Sequence, residues 1–246
     1  MQICFQDIPS AGIMSKELDR LPFDVGCLPK NMTATLISTK GTHCEVWQCM
    51  GMILADRQRW LLDFVIKRHR IACSKREVEI YQRDYRKLRT TLGSIVPNAV
   101  FTQTCIREDG SAGQNSVVVL AEAVTPWFNI ANPIHEADAV PLLARLSKAR
   151  KQLQHFVEAA TRWWQEEGKV IDLYGADNLV LDKNQEIRYL DSFNTFFYED
   201  LLYVLEQPDE GLRTKIQISL KRLQYLRFLL VKANEAQTEN SLVSAT

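Results

Sequence analysis

The hydrophobic residues of this chain change their period near its middle, and that change limits the folds open to it. Up to about residue 124 they run in short stretches rich in β-branched residues: TATLIST (33–39), CEVWQCMGMIL (44–54), WLLDFVIK (60–67), NAVFTQTCI (98–106) and NSVVVLAEAV (115–124). Turn chemistry separates them at Lys40-Gly41-Thr42, ADRQR and REDGSAGQ, so they read as strands. Between the third and fourth, Val78, Tyr81, Tyr85, Leu88 and Leu92 recur at helical spacing and Gly93 supplies a stop. Beyond residue 124 the helical period dominates. Leu142, Leu146, Ala149, Leu153, Phe156, Ala160 and Trp163 predict one long amphipathic helix over 141–164. Leu212, Ile216, Leu220, Leu223, Leu226 and Leu230 predict a second, and both stripes read as packing surfaces. The expected class is α+β. A small sheet-rich part with one helix covers 33–121, a mostly helical part covers 122–233, residues 1–32 form an unassigned extension, and the polar, aperiodic 234–246 reads as a flexible tail.

Charge narrows the functions. The 30 basic and 30 acidic residues cancel, which disfavours a surface built to coat nucleic acid. A local basic patch remains at KRHRIACSKR (67–76), where Arg68, His69 and Arg70 read as a solvated turn or as a contact for an anionic acceptor. The six cysteines, at 4, 27, 44, 49, 73 and 105, form no CxxC pair and suit reduced thiols in a cytoplasmic protein. His43, Cys44 and Cys49 could be metal ligands but lack a complementary pair at zinc-finger spacing, so the cysteines read as buried or half-buried thiols. No secretory leader or membrane-spanning apolar run is visible, so the expectation is a soluble, intracellular chain.

The chemistry concentrates in KVIDLYGADNLVLDKNQEIRYLDSF, from Lys169 to Phe193. LVL and IRYL are short enough to be strands, and DKNQ between them is good turn chemistry. A hairpin here places Asn178, before its first strand, and Asp191, after its second, at the same end of the ladder. Two oxygen-bearing side chains brought together in this way suit a hard cation such as magnesium.

With these elements in order, residues 33 to about 200 resemble a protein-kinase-like fold: a small β-rich N-lobe with one helix, then a truncated helical C-lobe. FVIK resembles the strand that ends in the phosphate-binding lysine, which implies that role for Lys67, with Glu77 as its ion-pair partner. LAEAV resembles the strand entering the interlobe hinge, which puts Glu122 and Ala123 near an adenine. IDLYGADN resembles the catalytic loop and LDSF the metal-binding segment. The resemblance therefore implies Asp172 as the base that accepts the acceptor hydroxyl's proton, Asn178 and Asp191 as magnesium ligands, and Gly41 in the phosphate loop. The short C-lobe is similar to those of lipopolysaccharide core-sugar kinases and PhoP regulatory network (YrbL-type) proteins.

Departures accompany the matches. Thr39 and Cys44 stand where the family's loop commonly has glycine, and Ser192-Phe193-Asn194 replaces the familiar Phe-Gly. One extra residue separates Asp172 from Asn178, so Asp177 competes for the base position. Ser74-Lys75-Arg76-Glu77 is also a capping box, which gives Glu77 a second reading and makes Asp84 the substitute partner. The expected activity is ATP- and magnesium-dependent transfer of a phosphoryl group to a hydroxyl on a sugar, a lipopolysaccharide precursor or a protein, but not a conventional peptide site. The alternatives are a pseudokinase, which binds nucleotide without turnover, and a structural adaptor.

Overall fold

A computed structural model describes residues 5–6, 19–20, 33–39, 44–55, 58–106, 114–204 and 210–243. The protein is α+β with antiparallel sheets, and the chain divides into two compact units. One comprises Met1–Gln82 and Asn98–Ala123, the other Arg83–Pro97 and Val124–Thr246.

The first unit contains β1 (Phe5–Gln6), β2 (Asp19–Arg20), β3 (Thr33–Ser38), β4 (Cys44–Ala55), β5 (Gln58–His69), the first part of helix α1 (Lys75–Leu92), β6 (Ala99–Ile106) and β7 (Gln114–Glu122). The strands form one antiparallel seven-stranded sheet in the order β2-β3-β4-β5-β7-β6, with β1 also pairing β4. Side chains two apart on a strand share a face. Trp47 and Cys49, Phe64 and Ile66, and Val118 and Leu120 therefore build one apolar cluster with Ala34. Pairing of β4 with β5 continues to Glu45↔Arg68 and Cys44↔His69, so the expected solvated turn is corrected at Arg68 and His69, while Arg70 in the bend that follows is exposed. His69 is only 5% exposed, with its ring 5.9 Å from that of Tyr81. Arg68 pairs with Glu45 at 2.8 Å, and the Arg70 guanidinium donates to the Thr39 carbonyl. The ladder and these partners hold Arg68 and His69 against the sheet.

The second unit begins with the remainder of α1, whose Leu88 and Leu92 are buried. It continues with β8 (Pro126–Asn129), α2 (Glu136–Arg145), α3 (Ser147–Glu167), β9 (Lys169–Ile171), β10 (Leu179–Asp182), β11 (Ile187–Tyr189), β12 (Phe196–Tyr198), α4 (Leu201–Val204) and α5 (Glu210–Val243). Strands β11, β10 and β8 form one antiparallel sheet and β12 pairs with β9. The core unites Leu153, Phe156 and Trp163 of α3, Leu223, Leu226 and Ala233 of α5, and Leu179, Leu181, Ile187 and Tyr189 of the hairpin. Trp163 meets Phe196 edge-on at 5.1 Å.

Two helical expectations are corrected. The single helix over 141–164 is two helices, broken at Leu146 (φ −92, ψ 79), and Pro141 lies inside α2 instead of starting a helix. Leu146 N–H still donates to Leu142 and Arg150 N–H to Leu146, so the hydrophobic spacing runs through the break unchanged. That is why periodicity does not reveal it. Arg150 occupies the corner, donating through Nη1 to the Leu143 and Ala144 carbonyls at 2.9 and 2.8 Å. The second correction concerns the C-terminal end: α5 runs on to Val243 instead of stopping at Ala233.

Among the described residues no helix is long and apolar enough to cross a membrane. Cys49 and Cys73 are buried cysteines that form no disulfide, and burial pushes Cys49 up to about 12.

Gly168 ends α3 in the left-handed conformation at φ 61, its N–H donating to the Trp164 carbonyl at 3.1 Å. A β-carbon there would lie 3.3 Å from Asp200 Oδ1. Gly168→Ala is expected to destabilise the second unit by about 1–2 kcal/mol, because an L side chain is strained in this region. Urea denaturation checks this.

Candidate functional site

Asp172 follows β9 in a short segment, Asp172–Gly175, that belongs to no helix or strand. Its N–H donates to the Thr195 carbonyl at 2.9 Å, and its Oδ1 accepts from Tyr174 N–H at 2.7 Å, so the side chain folds back on its own turn. A 3-10 turn, Ala176–Asn178, leads into β10. The hairpin then returns through Asp182–Ile187, where the Asp182 carboxylate accepts from Asn184 and Glu186 N–H at 2.8 and 3.0 Å. Leu179 pairs with Tyr189, and Leu190 N–H donates to the Asn178 carbonyl at 2.7 Å. The register therefore sets Asn178 and the segment ending in Asp191 side by side.

Two further bonds tie Asp172 to that end of the hairpin. Asn178 Nδ2 and the Tyr189 hydroxyl both donate to the Asp172 carbonyl oxygen, each at 3.1 Å. Tyr189 is wholly buried, and burial together with the charges of Asp191 and Asp172 holds its phenol well above the usual tyrosine range. Asp191 Oδ1 accepts from the N–H groups of Ser192 and Phe193 at 2.7 and 3.2 Å. Gly175 lies against the Asn178 side chain so closely that a β-carbon would fall 2.6 Å from its Oδ1.

Burial, with a second carboxylate nearby, sets the electrostatics. Burial and then the Asp191 charge push Asp172 up to about 7, against backbone hydrogen bonds from Tyr174 and Gly175 and the field of Lys215. Two acids placed in this way hold one proton between them or attract a compensating positive charge.

Asp172, Asn178 and Asp191 thus come together in the second unit. Asp177, the rival for the base position, is exposed and accepts from Asn129 Nδ2 at 2.7 Å. Of the remaining expected residues, Lys67, Glu77, Glu122 and Ala123 lie in the first unit and Asp84 in the second. Lys67 is half-buried on β5, in register with Val46 and Val119. Glu77 makes the capping box: its carboxylate accepts from Ser74 N–H and Oγ at 2.7 Å each, while Glu77 N–H donates to Ser74 Oγ at 3.2 Å. Those hydrogen bonds hold the exposed Glu77 carboxyl below its usual range. Asp84, the substitute partner, is buried and accepts from the Tyr198 hydroxyl at 2.9 Å and from Arg83. The Glu122 N–H donates to the Asn98 carbonyl at 2.9 Å and the Ala123 N–H to the Asp63 carbonyl at 3.3 Å. Gly41 lies outside the described residues.

Sequence reasoning found the helix that is α5 but missed the part it plays here. Ser219 Oγ accepts from Leu173 N–H at 3.1 Å, and Arg222 Nη1 donates to the Leu173 carbonyl at 2.5 Å and to that of Tyr174. Burial draws the Arg222 guanidinium below its usual range, opposed by the charges of Asp172, Tyr174 and Asp177. The available signal was Ser219 itself, a polar residue on the buried stripe between Ile216 and Leu223.

No family model matches the sequence, and no curated protein matches it. Among the described residues no group of three or more His, Cys, Asp or Glu is arranged to hold a metal ion.

Asp172 makes stability depend on pH. Its folded-state carboxyl, at about 7, binds a proton more tightly than the unfolded chain's at 3.8, so its contribution favours the fold at low pH and is lost as pH rises through 7. Asp172→Asn is expected to be more stable than the wild type at about pH 8, by about 1 kcal/mol or more, with the advantage shrinking towards about pH 4. Urea denaturation in chelator at the two pH values measures it.

Proposed function

We propose that the chain is an ATP- and magnesium-dependent phosphotransferase of the protein-kinase-like type, acting on a hydroxyl acceptor other than a conventional peptide. The observation that carries this reading is the assembly of Asp172, Asn178 and Asp191 at one end of the β10–β11 hairpin, two of them acids under mutual repulsion. The Asp191 carboxylate and the Asn178 amide oxygen are donors that suit a hard cation, and the neighbouring charge of Asp172 makes such an ion favourable there. Magnesium, when bound, would neutralise phosphate charge. Asn178 and Asp191 would hold it, and Lys67 would bind the nucleotide phosphates as a point charge. Asp172 would orient the acceptor hydroxyl and take its proton, with its carboxyl held by Tyr174 N–H.

The second reading is a pseudokinase. Its support is that Glu77 is engaged in capping and that the N–H groups of Glu122 and Ala123 already have carbonyl partners. On either reading, ATP with magnesium at a hundred times its dissociation constant should stabilise the chain by about 2.7 kcal/mol, seen as a raised melting temperature that chelator abolishes. On the first, wild-type chain also hydrolyses or transfers the γ-phosphate; Asp191→Asn and Lys67→Ala abolish this, while Asp172→Asn loses turnover and keeps the thermal shift. A shift without turnover in the wild type selects the pseudokinase, and no shift defeats both.

A further inference from the structure

Asp172–Gly175 has no regular structure to hold it, yet it carries the carboxyl to which the proposed function assigns the proton. Its hairpin-side bonds reach the Asp172 backbone: its N–H goes to Thr195, and its carbonyl receives Asn178 and Tyr189. The two residues that follow are held by α5. Ser219 receives the Leu173 N–H, and Arg222 spans the Leu173 and Tyr174 carbonyls. These positions are three apart on the helix and so lie on neighbouring parts of one face.

We propose that Ser219 and Arg222 are positioning residues, which fix the direction of the Asp172 carboxyl by holding the backbone of Leu173 and Tyr174 from α5. This rests on the proposed role of Asp172. The coupling is short. The Tyr174 N–H that orients Asp172 Oδ1 belongs to the same residue whose carbonyl Arg222 holds. Without that hold, the repulsion between Asp172 and Asp191 would be free to turn the carboxyl outward. Ser219 is 1% exposed on a stripe where a leucine or alanine would pack without a polar atom to satisfy. Its hydroxyl answers a backbone N–H that would otherwise be buried without a partner. Arg222 serves two carbonyls from one nitrogen of a rigid, permanently charged fork.

The test uses the full chain without nucleotide or metal, so it does not depend on turnover. Amide exchange is followed at Leu173 and Tyr174, and the Asn178 side-chain NH2 resonance, which reports its bond to the Asp172 carbonyl, is followed by NMR. Ser219→Ala is expected to speed exchange at both amides about tenfold and to move the Asn178 signal, with the exchange of core amides of α3 unchanged. Arg222→Gln should do the same, and Arg222→Lys should restore the Asn178 signal most of the way. Uniformly faster exchange, or an unmoved Asn178 signal in Ser219→Ala, overturns the proposal by reducing both residues to packing. Should Arg222→Gln not fold, Ser219→Ala decides. A positive result in a chain that gives no ATP-dependent thermal shift removes the phosphotransferase reading and leaves the backbone hold standing.

Discussion

One antiparallel turn of chain governs the chemistry of this molecule. Because Leu179 pairs with Tyr189 and Leu190 reaches back to Asn178, the chain leaves and re-enters the same small region within a dozen or so residues. Every other feature of the site depends on that return. Tyr189 can touch the Asp172 carbonyl only because it lies at the hairpin's end, and its complete burial gives the polar cluster a floor that water does not reach. The same floor raises the proton affinity of Asp172, since a charge above an apolar core is less well solvated than one in water.

The hairpin was legible because it is local. Alternation, the DKNQ turn and the flanking Asn178 and Asp191 lie in one continuous stretch, and strand geometry converts that order directly into proximity. Strands β3 to β7 of the first unit were legible for the same reason, each announcing itself by β-branched content and a bounding turn, whereas β1 and β2 fall in the unassigned 1–32. Glu77 was ambiguous from sequence, because a capping box and an ion pair both want an acid at that position. The structure fills the capping role through reciprocal bonds with Ser74.

What was illegible is non-local or falls between periods. Ser219 and Arg222 lie far along the chain from Leu173, and no pattern in the sequence connects them. The break at Leu146 preserves its flanking helical hydrogen bonds, so a count of hydrophobic spacing passes over it. The burial of His69 depends on the β4–β5 register extending past the apolar run, where composition alone suggested a turn. In each case tertiary context overrode a sound local expectation.

Arg150 gives the α2–α3 corner a character of its own. While Nη1 closes the end of α2, Nη2 donates to Gln237 Oε1 on α5 at 2.5 Å, and the residue's own backbone lies in the first turns of α3. A single planar cation thus ties three helices at a point where the backbone has already given up one turn's regularity. The bend is consequently a rivet and not a pivot: α2 and α3 keep their mutual angle because any opening would strip charge-assisted bonds from two partners at once. A lysine, with its one compact ammonium head, could not straddle both.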